Sequence, residues 1–249
     1  MKNLLLCFVI SMLSVSCATN KPITSSAKPS QMKGIAVLPP QSYLKVISVK
    51  EDKNITTDGL NSMTSEIVKL TIDDFNKNHK KEFSEFSLTN SELSFINKEI
   101  SSYIFKLTNS NAADFRKNNK NFNFPANQDI FKDIKVSDKL IEILKSRDAK
   151  YLMSVVNVGF SRNKGSNAVN AVSTIAGLGT LATLGFGVFY YEVPHNLTTF
   201  LIIVDTDKKG LALFHKKTED VDPTDAEFLR KQNNQILEDY WIWHDSVVK

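Results

Sequence analysis

The sequence predicts one α/β domain of three-layer type built on a mixed sheet, carried behind a signal segment and a tether. Three observations predict it. Short apolar runs alternate with stretches of helical period, which is the pattern of helices packed on a sheet. Lys150–Phe160 is strongly strand-like, and Leu197–Asp205 is a further strand whose Leu201-Ile202-Ile203-Val204 is dense enough to be central and covered on both faces. Asp207-Lys208-Lys209-Gly210 then turns the chain into a further strand, Leu211–Thr218, so the sheet ends on a hairpin and has strands in both directions. The expected order is β-α-β-α-α-β-[apolar insert]-β-β-α.

The elements follow in turn. Gly34-Ile35-Ala36-Val37-Leu38-Pro39-Pro40 is an apolar run stopped by two prolines, as a buried strand would be. After a polar loop, Leu60, Met63, Ile67, Leu70 and Phe75 recur at helical spacing from Asp58 onward. Phe83–Leu88 is a weaker strand candidate. Thr89-Asn90-Ser91-Glu92 carries the capping-box pattern, and Leu93, Ile96, Ile100, Ile104 and Leu107 continue a second helix behind it. Asn109–Gln128 is rich in Asn, Lys and Phe without a period and reads as a long surface loop. Ser137 is placed to cap a third helix with Leu140, Ile143 and Leu144 inward. Asp222-Pro223 offers an N-cap and a first-turn proline for the last helix, which runs into Ile236, Leu237, Tyr240 and Trp241.

The first residues read as an address. Lys2, the apolar run Leu4–Ile10 and the small residues before Cys17 describe a cleaved secretory signal over residues 1–16. Leu13-Ser14-Val15-Ser16-Cys17 resembles the lipobox of bacterial lipoproteins, although Ser14 stands three places before the cysteine where leucine is usual. A plain secretory signal with an incidental cysteine is the alternative. The resemblance implies that Cys17 carries the lipid, palmitate among its chains, and becomes the first mature residue. Ala18 follows it, and under the enteric sorting rule a residue other than aspartate there implies the outer membrane. The expected location is the outer membrane, on its periplasmic face. Residues 18–32 contain Pro22, Pro29 and several serines with no acidic residue, and read as a flexible tether; the α/β domain is expected over 33–249.

Composition narrows the chemistry. Cys7 leaves with the signal and Cys17 is lipidated, so the folded body has no thiol for a disulfide, a nucleophile or a thiolate metal site. The net charge of +4 is small and the arginines are only Arg116, Arg147, Arg162 and Arg230, which argues against a nucleic-acid reader. His79, His195, His215 and His244 are scattered without metal-ligand spacing, and no metal or other cofactor is expected. Gly177-Leu178-Gly179-Thr180-Leu181-Ala182 matches a dinucleotide fingerprint but lacks the strand before it and the amphipathic helix after it. No nucleophile elbow or phosphate loop occurs, so an enzyme is not expected. Glu219, Asp220, Asp222 and Asp225 cluster where the last helix begins, which capping and the helix dipole explain; a weak cation site is the alternative. Tyr240, Trp241 and Trp243 read as helix docking onto the sheet or as a recognition patch.

Three segments carry a wider resemblance: Ala36-Val37-Leu38-Pro39-Pro40; Leu140-Ile141-Glu142-Ile143-Leu144 leading into Asp148-Ala149-Lys150-Tyr151-Leu152-Met153; and Ile203-Val204-Asp205-Thr206-Asp207-Lys208-Lys209-Gly210-Leu211-Ala212-Leu213. Together they resemble envelope lipoproteins that share a domain like the N-terminal part of the Tol-system propeller protein. That group includes penicillin-binding-protein activator lipoproteins and the curli-secretion lipoprotein. The resemblance implies a non-catalytic, membrane-anchored protein that binds or regulates another envelope protein, such as a cell-wall synthase or an export system. Residues 80–135 depart from the group in length and in asparagine content.

Ser166–Tyr191 contains no charged residue. Its length suits a membrane span, yet its Gly, Ala, Ser, Thr and Asn make insertion only modestly favourable. A single span would also separate the two strands that flank it. Two further readings stand: an apolar hairpin folded on its own domain, and an arm that enters a bilayer or joins copies into a homo-oligomer of a secretion or transport complex. Val172, Ile175, Gly177, Gly179, Leu181, Leu184 and Phe186 are the residues expected to make that membrane or oligomer contact.

Overall fold

The computed structural model describes residues 22–25, 29, 32–47, 56–109, 128–162 and 195–243. Cys17 and the segment 163–194 lie outside them, as do residues 1–16, read above as a signal. The described chain runs β1 (Ile23–Thr24), β2 (Ile35–Val37), β3 (Gln41–Ile47), α1 (Thr57–His79), β4 (Phe83–Glu85), α2 (Asn90–Asn109), α3 (Gln128–Asp133), α4 (Asp138–Lys145), β5 (Tyr151–Arg162), β6 (His195–Asp205), β7 (Gly210–Glu219) and α5 (Ala226–Glu238), closing on a wide π turn over Asp239–Trp243. The strands form one seven-stranded sheet in the order β1-β7-β6-β5-β2-β4, with β3 beside β5. β2 and β3 run parallel to β5, and β4 parallel to β2. β6 and β7 are antiparallel, and so is β1 on β7. The mixed α/β fold expected from the sequence is the one present.

Helices cover both faces. On one, α2 and α4 deliver Ile96, Ile100, Ile104, Leu140 and Leu144 onto Leu152, Val156, Phe200 and Ile202. On the other, α1 and α5 deliver Val68, Ile72, Phe75, Ile236 and Leu237 onto Met153, Val155, Leu201 and Ile203. Alternate residues of β5 and β6 thus serve two cores, which is why these strands read as unbroken apolar runs. Tyr240 and Trp241 are buried in the second core. Their reading as helix docking holds, and the side chain of Trp243 lies outside the description.

Local signals in the sequence act as expected at several ends. The Thr89 hydroxyl accepts from the Glu92 N–H at 3.3 Å and the Glu92 carboxylate accepts from the Thr89 N–H at 2.9 Å, a reciprocal capping box. Ser137 Oγ accepts from the Leu140 N–H at 3.3 Å. Asp205 Oδ1 accepts from the N–H groups of Asp207 and Lys208 at 3.0 and 3.2 Å, which turns β6 into β7.

Five expectations are corrected. Residues 41–47 form a strand instead of a loop: beyond the two prolines, Leu44 and Val46 alternate with Tyr43 and Lys45, and this half-buried period was hidden by the polar residues around it. The tether is ordered in part, because Ile23 and Thr24 pair with Phe214 and Leu213 and Met32 is buried. A short helix, α3, is missing from the expected order; it begins at Gln128, where the span read as a loop ends, and buries Phe131. Leu70 is 46% exposed; the inward stripe of α1 is Leu60, Thr64, Val68, Thr71, Ile72 and Phe75. Asp225, not Asp222, caps α5, accepting from Glu227 and Phe228, while Asp222 accepts from the Thr224 N–H at 3.0 Å and holds the turn before it.

Helix α1 also shields edge backbone. Asn61 bonds both the N–H and the C=O of Leu44 in β3, at 2.7 and 3.1 Å. Asn76 does the same for Phe83 in β4, at 3.2 and 3.1 Å. A carboxamide presents a donor and an acceptor as a neighbouring strand would, so these edges are closed to a partner.

Arg147 ties the first helical layer together. Its guanidinium makes a two-pronged contact with Glu92 at 2.8 and 2.7 Å and donates to the Ser87 and Ile143 carbonyls. The Thr89 N–H, then Arg147 and the Thr89 hydroxyl, hold the Glu92 carboxyl down at about 2, from an ordinary 4.5. A depressed carboxyl stabilises the fold above its unfolded value and loses that contribution as pH falls through its folded one. The stability gap between the native protein and Glu92→Gln is therefore expected to be flat above pH 5 and to close between pH 4.5 and about 2. Thermal melts across that range check it; a gap that persists at pH 2 refutes it.

Candidate functional site

The two longest strands converge on the candidate site. β5 and β6 pair without interruption up to Ser161 opposite His195. Strand spacing puts the two chain ends about 5 Å apart. Segment 163–194 therefore leaves and re-enters at adjacent positions on one end of the sheet.

Side chains clamp this root. Ser161 Oγ lies 3.3 Å from His195 Nδ1, and Asp222 Oδ2 lies 3.5 Å from the same nitrogen. Burial alone would raise the Asp222 carboxyl, but hydrogen bonds from the Thr224 N–H and the Ser161 hydroxyl, with His195 nearby, leave it below its ordinary value. Asn196 Nδ2 donates to Asp220 at 3.3 Å. The loop before α5 is thus fastened to both strands where the uncharged segment departs.

Ser, His and Asp in one cluster invite comparison with a hydrolytic triad. There the carboxylate and the hydroxyl occupy opposite ring nitrogens, so that the imidazole can relay a proton. Here both meet Nδ1, an arrangement that differs from that relay. Behind it, Asn157, Thr199 and Asn233 form a buried hydrogen-bonded group, and Gln232 donates to Leu197 O, Thr199 Oγ1 and Lys217 O at 3.0 to 3.2 Å. This network pins α5 across the same end of the sheet. On β7, burial pushes the Lys216 ammonium down to about 8.

A second feature is a cleft at the carboxyl ends of the parallel strands β2 and β4, where open α/β sheets commonly bind ligands. It encloses about 230 Å³ between Val37–Pro40, Phe83–Phe86 and the α1 residues Lys69, Ile72 and Asp73. Lys69 and Glu85 form an ion pair on its rim.

Of the residues singled out in the sequence, Cys17 and Val172, Ile175, Gly177, Gly179, Leu181, Leu184 and Phe186 lie outside the described residues. Among the described residues no cluster of three His, Cys, Asp or Glu side chains is placed to hold a metal ion. No helix among them is long and apolar enough to cross a membrane. Sequence reasoning missed the clamp: Ser161, His195 and Asp222 are far apart in the chain, and only the strand register joins them.

No family model matches the chain, and no curated protein matches it. Among solved structures, it is similar to a PelC dodecamer from Paraburkholderia phytofirmans, at 8% identity over 88% of this chain and 92% of that one, with a TM-score of 0.36. A second PelC dodecamer from that organism, with a single substitution, gives 8% identity over 87% and 95%, with a TM-score of 0.37. These neighbours differ from the Tol-propeller-like group that the sequence motifs resemble. A likeness this distant carries no argument about function or assembly, and the fold stands on its own topology.

Proposed function

We propose that this is a lipid-anchored, non-catalytic envelope protein of the outer membrane, whose uncharged arm over 166–191 enters the bilayer or joins copies of the chain. The observation that carries this reading is the adjacent departure and return of segment 163–194 on paired antiparallel strands. One crossing of a membrane would place the two ends on opposite sides, so a single span is incompatible with that register. A hairpin is compatible. Each half of the arm, on the order of ten residues, suffices to cross a bilayer as a tilted strand and falls well short of a spanning helix. Leu184, Phe186 and Val188 alternate with Gly185 and Gly187, but Phe189 breaks that period and the first half has none, so the arm lacks the alternation of a barrel hairpin. The Ser161–His195–Asp222 clamp gives the arm a fixed base.

The second reading is the lipid-tethered domain that binds another envelope protein, its anchor confining the search to one surface. The cleft at the ends of β2 and β4 favours it.

Deleting residues 168–189 separates the two. The arm reading expects the intact protein to form higher oligomers in detergent, or to stay membrane-bound as Cys17→Ala, and expects the deletion to abolish both. If the detergent-extracted protein is monomeric with and without the arm, and Cys17→Ala releases it fully, the arm reading fails and the tethered-binder reading takes its place.

A further inference from the structure

We propose that the outer edge of β1 is a docking site for an acidic, extended chain segment, which adds to the sheet as one more strand beside Thr24. The inference is independent of the arm. β1 ends the sheet order. Ser25 N–H donates to Ala212 O at 2.9 Å, so Ser25 and, two residues back, Ile23 turn their peptide groups toward β7. By the alternation of antiparallel pairing, the N–H and C=O of Thr24 point the other way. Thr24 also lines a cavity of about 480 Å³ between β1, α3 and the β6–β7 turn.

The lining of that cavity defines the partner. Ile23, Phe131 and Ile134 supply apolar walls, Lys132 and Lys208 supply cationic ones, and among the described residues no acidic one lines it. Lys132 Nζ lies 3.9 Å from Asp129 Oδ1, a long and exposed contact that an incoming carboxylate can replace. Strand addition uses backbone hydrogen bonds for affinity and alternate side chains for selection. The edges at Leu44 and Phe83 are closed by asparagines of α1, whereas among the described residues no such side chain meets Thr24, which borders the cavity. A strand that alternates carboxylate and apolar side chains satisfies the peptide groups, the lysines and the apolar wall together.

The test uses the full mature protein in detergent and two fluorescent, end-blocked octapeptides, one alternating glutamate with valine and one alternating lysine with valine. Fluorescence anisotropy is expected to show the acidic peptide binding about tenfold or more tightly than the basic one. Reversing both charges, Lys132→Glu with Lys208→Glu, is expected to invert that preference. Thr24→Pro removes only an outward N–H and leaves the pairing to β7 in place; it is expected to weaken the acidic peptide several-fold with an unchanged melting temperature. A photo-reactive group on the acidic peptide should cross-link within residues 22–25, 131–134 or 208–211. The proposal is overturned if the acidic peptide fails to bind, if both peptides bind alike, or if cross-links map elsewhere. Binding indifferent to the charge reversal overturns it even where Thr24→Pro fails to fold.

Discussion

Alanine at position 159 is expected to lower the unfolding free energy by about 3 kcal/mol or more, and the melting temperature by roughly 6–12 °C. Gly159 sits in β5 between Leu44 of β3 and Leu197 of β6. A Cβ there would stand 2.1 Å from the carbonyl oxygen of Asn196 and 3.2 Å from the Leu197 Cα. Both are backbone atoms of a central strand, so no side-chain rotation relieves the contact. β6 has to move away from β5 at the point where the pair approaches Ser161 and His195. The loss should therefore extend to the Ser161–His195–Asp222 cluster at that end of the strands. Thermal unfolding followed by circular dichroism measures the first effect. A melting temperature within about 2 °C of the native protein would show that the strands part without cost and would refute the argument.

Asn157→Leu is expected to cost about 2–4 kcal/mol. The Asn157 carboxamide is buried; its oxygen accepts from Thr199 Oγ1 at 2.7 Å and from Asn233 Nδ2 at 3.3 Å, and its nitrogen donates to Asn233 Oδ1 at 3.3 Å. Leucine removes all three bonds and leaves buried groups on Thr199 and Asn233 short of partners. Most of the loss is the desolvation of those orphans, not the net worth of the bonds. It follows that Asn157→Leu with Asn233→Leu should be less unstable than the two single changes added together, by about 1 kcal/mol or more. Denaturant unfolding of the four proteins measures this coupling. Additivity to within ~0.3 kcal/mol would mean that the network does not act as a unit.

Local information made much of the fold legible. The stripe Leu93, Ile96, Ile100, Ile104 and Leu107 identified α2, and all but the half-buried Leu93 are now buried under the sheet. Thr89 and Glu92 marked its start, and Asp207 through Gly210 marked the hairpin, because caps and turns are satisfied by residues only a few positions apart. Where two local signals competed, reading failed. Asp222-Pro223 and Asp225 are both good helix starts, and the observed cap is the nearer one. β3 failed for a related reason. Its polar residues have tertiary uses, Gln41 bonding Asn97 at 2.8 Å and Ser42 meeting Ser65, and those uses do not show in a propensity.

By itself the sequence determined the fold class, the strands β5 to β7, the starts of three helices, the absence of cysteine beyond Cys17, and a charge pattern that singles out residues 166–191. Each depends on composition or on neighbours along the chain. Only the tertiary structure decided which edge residues are closed and which face open space, that β1 is drawn out of the tether onto β7, and that Ser161, His195 and Asp222 meet. It also decided that the uncharged segment returns to the end of the sheet it leaves. That last result follows from a strand register fixed over eleven residue pairs by both cores at once. A one-residue slip would exchange the faces of every side chain in β6. Such a constraint acts between segments distant in sequence, so no local pattern encodes it.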